Sequence, residues 1–410
     1  MNWVDSGELQ LRRGARGDLN VIFAGDFCPT GRAIGVCMRG DFAALFGDSI
    51  SLLTEKDLSV VNLECPLTGR NEPIVKAGPH LSAPQGFADA LRYARFDVAA
   101  LANNHILDHG PAGLADTIDA CRLAGIKTVG AAKTLAEAQE PLFIESRAGL
   151  IAIVNMAEIE FSIAGPSSAG ANPLDPAANY AQIMRAKSRA DIVFIVVHGG
   201  HEFYPLPSPR MVQTYRFFAS LGVTAVIGHH SHVGSGFEIV GGVPIFYSLG
   251  NFLFDTAQKV PDGWHNGYFV RLSVHDGKVS RIHIVPYEQS AATAGIRLLN
   301  PEAKRDYLQA IAHHCDAIQD PVRLSERWEA FCRSNEYYYL TTVLRLGKLR
   351  RACLRAGLPG AAIGPHERLV KMYNLICCEA HRDAVLRVLE NVIGTKGEDQ
   401  AETRAARLKE

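Results

Sequence analysis

Short apolar runs alternate with amphipathic stretches along the first two thirds of the chain. Residues 19–24, 58–61, 96–101, 150–155, 192–197, 223–227 and 244–249 are runs with little polar alternation. They read as strands buried on both faces. Between them lie segments whose apolar residues recur three and four apart. Residues 38–53 place Phe42, Leu45, Phe46, Ile50 and Leu53 on one helical face. Residues 84–95, 111–124, 174–189 and 211–221 read as further helices, with Pro111 opening one of them and Gly125 standing just past its end. Residues 268–274 and 279–285 read as an antiparallel pair around an Asp276-Gly277 turn, and the Gly-, Ser- and Pro-rich residues 164–176 as a loop. Strand–helix alternation with apolar strands predicts an α/β fold whose sheet is covered on both faces.

The pattern changes near Pro301. Strand signals stop, and residues 307–318, 324–335, 338–356 and 367–393 carry helical spacing, interrupted by Pro359 and Pro365. The charged stretch after Gly394 reads as disordered. The expected organisation is therefore an N-terminal segment (1–18), an α/β domain (19–290), a helical C-terminal region (301–395) and a tail (396–410). Arg345, Lys348, Arg350, Arg351 and Arg355 read as a solvated helix face. The helical region is also the expected surface for any homo-oligomer.

Composition narrows the function classes. Of 410 residues, 47% are hydrophobic and 21% charged, as in a globular protein with a sizeable core. The 42 Lys and Arg balance 43 Asp and Glu, which argues against nucleic acid or a membrane surface as the partner of the whole chain. Residues 1–18 are mixed polar and charged, and no transmembrane run follows, so the expectation is a cytoplasmic chain without a membrane anchor. Nine scattered cysteines without a C-x-x-C pair fit neither a disulfide framework nor a thiolate zinc site; buried free thiols are expected.

Polar residues stand just past the apolar strands: Asp26, Glu64, Asn104, His198, His230 and His232. In α/β sheets that edge binds ligands. Carboxylate, amide and imidazole donors suit zinc, manganese or iron rather than calcium. Two such ions about 3.5–4 Å apart would form a hydrolytic clamp. Glu64 has two oxygens with which to bridge them. Asp26 and His232 would complete one ion, and Asn104, His198 and His230 the other. His105 could then protonate a leaving group, oriented by Asp108. Arg32, Lys76 and Glu202 are candidates for contacting a small-molecule, peptide or polymer substrate. Each residue also has a structural reading. Asp26 could cap a turn. Glu64 could pair with Arg32 or Arg70. Asn103 could satisfy backbone groups while Asn104 binds metal. His198 could be a satisfied core histidine, and His229 could pack or bond to backbone.

The ordered series carries more weight than any member. Gly25-Asp26 with Arg32, Asn62-Leu63-Glu64, Asn103-Asn104-His105 with Asp108, His198-Gly199-Gly200-His201-Glu202, Gly228-His229-His230-Ser231-His232 and Tyr247-Ser248-Leu249-Gly250-Asn251-Phe252 follow one another. Over residues 20–286 this resembles the CapA family of poly-γ-glutamate capsule-synthesis proteins, a branch of the calcineurin-like metallophosphoesterase superfamily. The resemblance implies a four-layer α/β/β/α sandwich with a helical C-terminal extension and a divalent-metal centre, of two Mn, Zn or Fe ions, at one edge. Cys28 stands where the superfamily has a metal-binding His, Glu64 where it has Asp, and Ser231 where the family usually has Pro. The implied function is a metal-dependent hydrolase acting on a phosphoester or amide-type bond in capsule, poly-γ-glutamate or peptide metabolism. Two alternatives stand beside it. One is a metal-dependent peptide epimerase that abstracts a Cα proton, with Cys28 as a transfer group. The other is a non-catalytic assembly subunit.

Overall fold

The computed structural model describes residues 3–12, 19–344, 347–356, 366–378, 381–382, 385–386 and 389. Residues 345–346, much of the stretch expected as a helix at 367–393 and the tail after Gly394 lie wholly or partly outside the described residues. The chain forms two compact units, Met1–Trp328 and Glu329–Glu410.

Among the described residues, two large sheets and a two-stranded one, Ala131–Ala132 with Gly170–Ala171, build the first unit. One has nine strands. Its path runs Glu8–Gln10, Lys278–Gln289, Asn266–His275, Leu19–Cys28, Leu58–Leu63, Val98–Ala100 and Lys127–Val129; Asn251–Phe254 joins Leu19–Cys28, and Ile296–Leu298 joins Lys278–Gln289. The other has six, in the order Phe237–Val240, Val243–Phe246, Ala225–His229, Ile192–His198, Gly149–Ala157 and Leu142–Ser146. Alternation along a strand feeds two cores at once. Val21 and Phe23 point between the sheets, where Phe23 meets Phe194 edge to face at 5.2 Å. Ile22 and Ala24 point to the outer core beneath the helices. Helices Pro176–Lys187 and Pro209–Ser220 cover the six-stranded sheet, and Gly110–Leu123 packs at the edge of the larger one. The result is a mixed α/β sandwich, helix outside sheet on either side.

The apolar strands and most helices fall where the sequence pattern expects them. The Asp276-Gly277 turn forms with φ of 49° and 69°, the left-handed pair that a two-residue hairpin needs. Residues 38–53 do not form one helix. They form the end of Arg32–Met38 and then Phe42–Phe46 and Ser49–Thr54, because Gly40 and Gly47 turn left-handed at φ 71° and 50°. A Cβ on Gly47 would meet the Ile296 carbonyl oxygen at 2.4 Å, so that break is locked by tertiary contact. The strand expected at 19–24 continues to Cys28, and strand Asn251–Phe254 has no period signal of its own.

Beyond Pro301 the helices are Pro301–Gln319, Pro321–Ser334, Glu336–Leu344, Lys348–Arg355 and His366–Cys377. The expected helix at 338–356 is two helices, with Gly347 capping the second. Among the described residues, Cys28, Cys37, Cys65, Cys121 and Cys315 are buried free thiols, and no helix is long and apolar enough to cross a membrane.

Candidate metal centre

Strands from both sheets end at one place. Asp26 lies near the end of Leu19–Cys28, Glu64 directly follows Leu58–Leu63, and His198 and His229 close Ile192–His198 and Ala225–His229. The backbone is shaped to bring them together. The register with the neighbouring strand shifts between Ala24 and Asp26. A Cβ on Gly25 would come within 1.9 Å of the Gly250 carbonyl oxygen, which instead accepts from the Asp26 N–H at 3.0 Å. Past the second sheet, His230 and His232 hold left-handed backbone at φ 92° and 60°. Such a conformation is costly for a non-glycine residue and persists where surrounding structure enforces it.

The cluster is fully buried, and its charges are unusual. Asp26 Oδ1 accepts from Asn62 Nδ2 at 2.8 Å and lies 3.1 Å from His229 Nδ1; its Oδ2 accepts from the His230 N–H at 3.1 Å. Burial works to raise the Asp26 pKa, but the imidazoles of His229 and His232 beside it hold it well below the usual carboxylate range. Glu64 goes the other way. Burial, then the charges of Asp26 and Glu202, push its pKa well up. Neither Glu64 oxygen has a hydrogen-bond partner, although Oε1 lies 3.5 Å from His198 Nε2 and 3.6 Å from His232 Nε2. A buried carboxylate left unpaired among imidazoles is the environment of a cation.

The donor set fits divalent metal. Glu64, His198 and His230 offer ligand atoms all within 4.8 Å of one another, and so do Asp26, Glu64 and His232, with Glu64 common to both groups. Burial lowers the pKa of His198 and, with His232, that of His230 to about 4, which keeps both rings neutral, the form in which imidazole ligates metal. The Asn104 side-chain oxygen, 3.1 Å from His198 Nε2, reaches the same cluster.

Three further residues neighbour the cluster, of which Asn62 and Glu160 had no assigned role in the sequence reading. Asn62 spans Asp26 and His198, its Nδ2 lying 3.1 Å from His198 Nδ1. The period of a strand carries that signal, since Asn62 and Glu64 share a face. Glu160 Oε2 accepts from Asn104 at 3.4 Å, and Asn251 Oδ1 lies 3.0 Å from His232 Nδ1. Asn103 serves backbone groups, donating to the Leu63 carbonyl at 2.8 Å and accepting from the His105 N–H at 3.1 Å. His229 is wedged against Asp26 instead of against backbone.

A cavity of about 360 Å³ opens beside the cluster, with His105, His232 and Glu202 in its wall. His105 Nδ1 lies 2.7 Å from Asp108 Oδ2, and the buried Lys76 ammonium pairs with Asp108 Oδ1 and lies 3.1 Å from His105 Nδ1. Neither Lys76 nor Arg32 is on the cavity wall. Arg32 forks onto Asp255, 2.7 Å at its shortest, and donates to the Ser290 carbonyl at 2.8 Å. Cys28 is wholly buried in the outer core beside Cys65, and burial together with that thiol raises its pKa well above the usual value.

Comparison with known proteins follows the same residues. The family described as "Bacterial capsule synthesis protein PGA_cap" matches residues 20–256, more than half of the chain. The "PGA biosynthesis protein CapA" of Bacillus subtilis is 30% identical over 239 residues, 57% of this chain and 61% of that protein. The "Capsule biosynthesis protein CapA" of Bacillus anthracis is 31% identical over 216 residues, 50% of this chain and 51% of that protein. The matched region thus spans between half and two thirds of these curated relatives. Among solved structures, the calcineurin-like phosphoesterase YfkN of Bacillus subtilis superposes with a TM-score of 0.36 at 12% identity, over 75% of this chain and 100% of that one.

Proposed function

This chain belongs to the family of bacterial capsule synthesis proteins PGA_cap, and from that premise we propose that it is a metal-dependent hydrolase of a phosphoester or amide-type bond. The observation that carries the proposal is Glu64, fully buried with both oxygens unpartnered among three imidazoles and a second carboxylate. Asp26, Glu64 and His232 would hold one divalent ion; Glu64, Asn104, His198 and His230 a second. Such ions supply Lewis-acid polarisation of a phosphoryl or carbonyl oxygen and acidify water.

The chain's own residues do the rest. Asp108 fixes His105 through Nδ1, leaving Nε2 to face the cavity and pass a proton to a leaving group. Lys76 neutralises Asp108 and so positions that pair instead of touching substrate. Glu202 stands on the cavity wall as the substrate contact; Arg32 anchors the Asp255 loop. The epimerase reading loses its proton-transfer thiol, since Cys28 faces the core.

The test is turnover after reloading with manganese or zinc. Bis(p-nitrophenyl) phosphate and a panel of glutamyl and ordinary peptides serve as substrates. Metal-dependent cleavage of one class, falling about 10²- to 10⁴-fold in His105→Gln, is the expected result. Absence of metal-dependent cleavage of either class by fully loaded protein refutes the proposal.

A further inference from the structure

The cavity beside the candidate centre has a cluster of rings on its wall. Phe254 and Trp264 have centroids 4.9 Å apart, Phe203 lies 6.0 Å from Trp264, and His232 sits within 5.2–6.1 Å of all three. Leu81 and Val260 extend the apolar wall. Packing explains two of these rings. Phe254 and Trp264 are buried in the outer core, and the Trp264 indole N–H donates to the Phe254 carbonyl at 3.2 Å.

Packing does not explain Phe203. The residue is 44% exposed, and its backbone is held at φ 64°, tied by its N–H to the Ser231 carbonyl at 2.8 Å. A bulky residue in left-handed backbone is an outlier that local propensity does not choose. Here it presents a half-open ring at the mouth of the cavity, joined directly to the turn that carries His230 and His232. Strain that aims a side chain at a site is a sign of function.

We infer that this cavity takes a planar apolar group of the substrate, an aryl or comparable ring, seated against Phe203 and Trp264 while the scissile group faces His232. This rests on the proposed hydrolytic centre and adds the substrate class. Size agrees. A dry cavity of about 150 Å³ accepts one benzene, so 360 Å³ holds a ring together with the bond that carries it. Rings in edge-to-face or offset contact gain affinity beyond that of the buried area. The wall also carries the polar groups His105, Glu202, Thr256, Gln258 and Lys259, beside the apolar Pro79, Leu81, Val260 and Pro261.

The test uses two probes that no hydrolase cleaves. Manganese-loaded protein is titrated calorimetrically with phenylphosphonate and with methylphosphonate. The phenyl compound binds about tenfold tighter or more. Phe203→Ala, at an exposed position that leaves the fold intact, cuts that advantage about three- to tenfold with metal content unchanged; Phe203→Tyr restores it. A second arm needs no metal. Saturation-transfer NMR with benzyl alcohol on chelator-treated protein shows ring contact in the wild type and loss of it in Phe203→Ala. Equal affinity of the two phosphonates, or a ring signal indifferent to Phe203, overturns the inference. Failure to take up manganese or bind methylphosphonate, with the benzyl alcohol signal intact, overturns the hydrolytic proposal and sustains the ring site.

Discussion

Asp26 and Glu64 both lie beside His232, yet their carboxyls are driven in opposite directions, and the difference makes each testable. Asp26 is held below its ordinary value, so its stabilising contribution is present above about pH 4 and lost as pH falls through its folded value. Glu64 in the metal-free chain is held above its ordinary value. Its contribution is full below about pH 4.5 and lost as pH rises through the folded value. Glu64→Gln should therefore stabilise chelator-treated protein at pH 7.5 by about 1–3 kcal/mol in urea unfolding. The same change should abolish the stability gained on adding manganese. Burial of His198 and His230 as neutral rings contributes stability that is full above pH 6.5 and lost as pH falls through their folded values, about 4 for His230. Nitrogen-detected NMR of metal-free protein should accordingly find the His230 ring unprotonated at pH 5, where an exposed histidine is charged. The types and order of these residues were legible in the sequence. The pairing of Asp26 with Asn62 and His229 was not, because it depends on which strands become neighbours.

At the scale of the elements, the site is made by where strands stop and how closely they approach. Gly25 matters as much as Asp26, since only a residue without a side chain lets the Gly250 carbonyl lie against the strand. Gly25→Ala should cost about 2–4 kcal/mol and reduce metal uptake, because overpacking there displaces the Asp26 backbone. A helix cap far from the cluster makes the control. Asp175 accepts from the Ala177 and Ala178 N–H groups at the start of Pro176–Lys187. Asp175→Ala should cost about 1 kcal/mol and leave metal uptake alone. Apolar runs without alternation announced the buried strands well. Three short helices in place of one at 38–53 were hidden, because periodicity survives a glycine break that tertiary contact enforces at Gly47. Strand Asn251–Phe254 was hidden for a related reason. It is specified by pairing with Leu19–Cys28 and by the Asn251–His232 contact, not by a pattern of its own.

For the molecule as a whole, two sheets contribute opposite halves of one cluster, so metal bound there ties the sandwich together. Loading should raise the unfolding free energy by about 2.7 kcal/mol at a free metal concentration one hundred times the dissociation constant, and excess chelator should remove the gain. The layered fold followed from strand–helix alternation and from the resemblance read in the ordered motifs. The open ring of Phe203 did not, because its meaning lies in a left-handed backbone that no pattern of apolar positions encodes. The claim on which all else depends is that Glu64 joins two groups of ligands into one metal centre. Elemental analysis of protein stripped with chelator and reloaded with manganese or zinc tests it most directly. The account predicts about two equivalents in the wild type and a loss of at least one in Glu64→Ala that remains folded by circular dichroism. Trace metal in the reloaded wild type, or the same content in the variant, would contradict it.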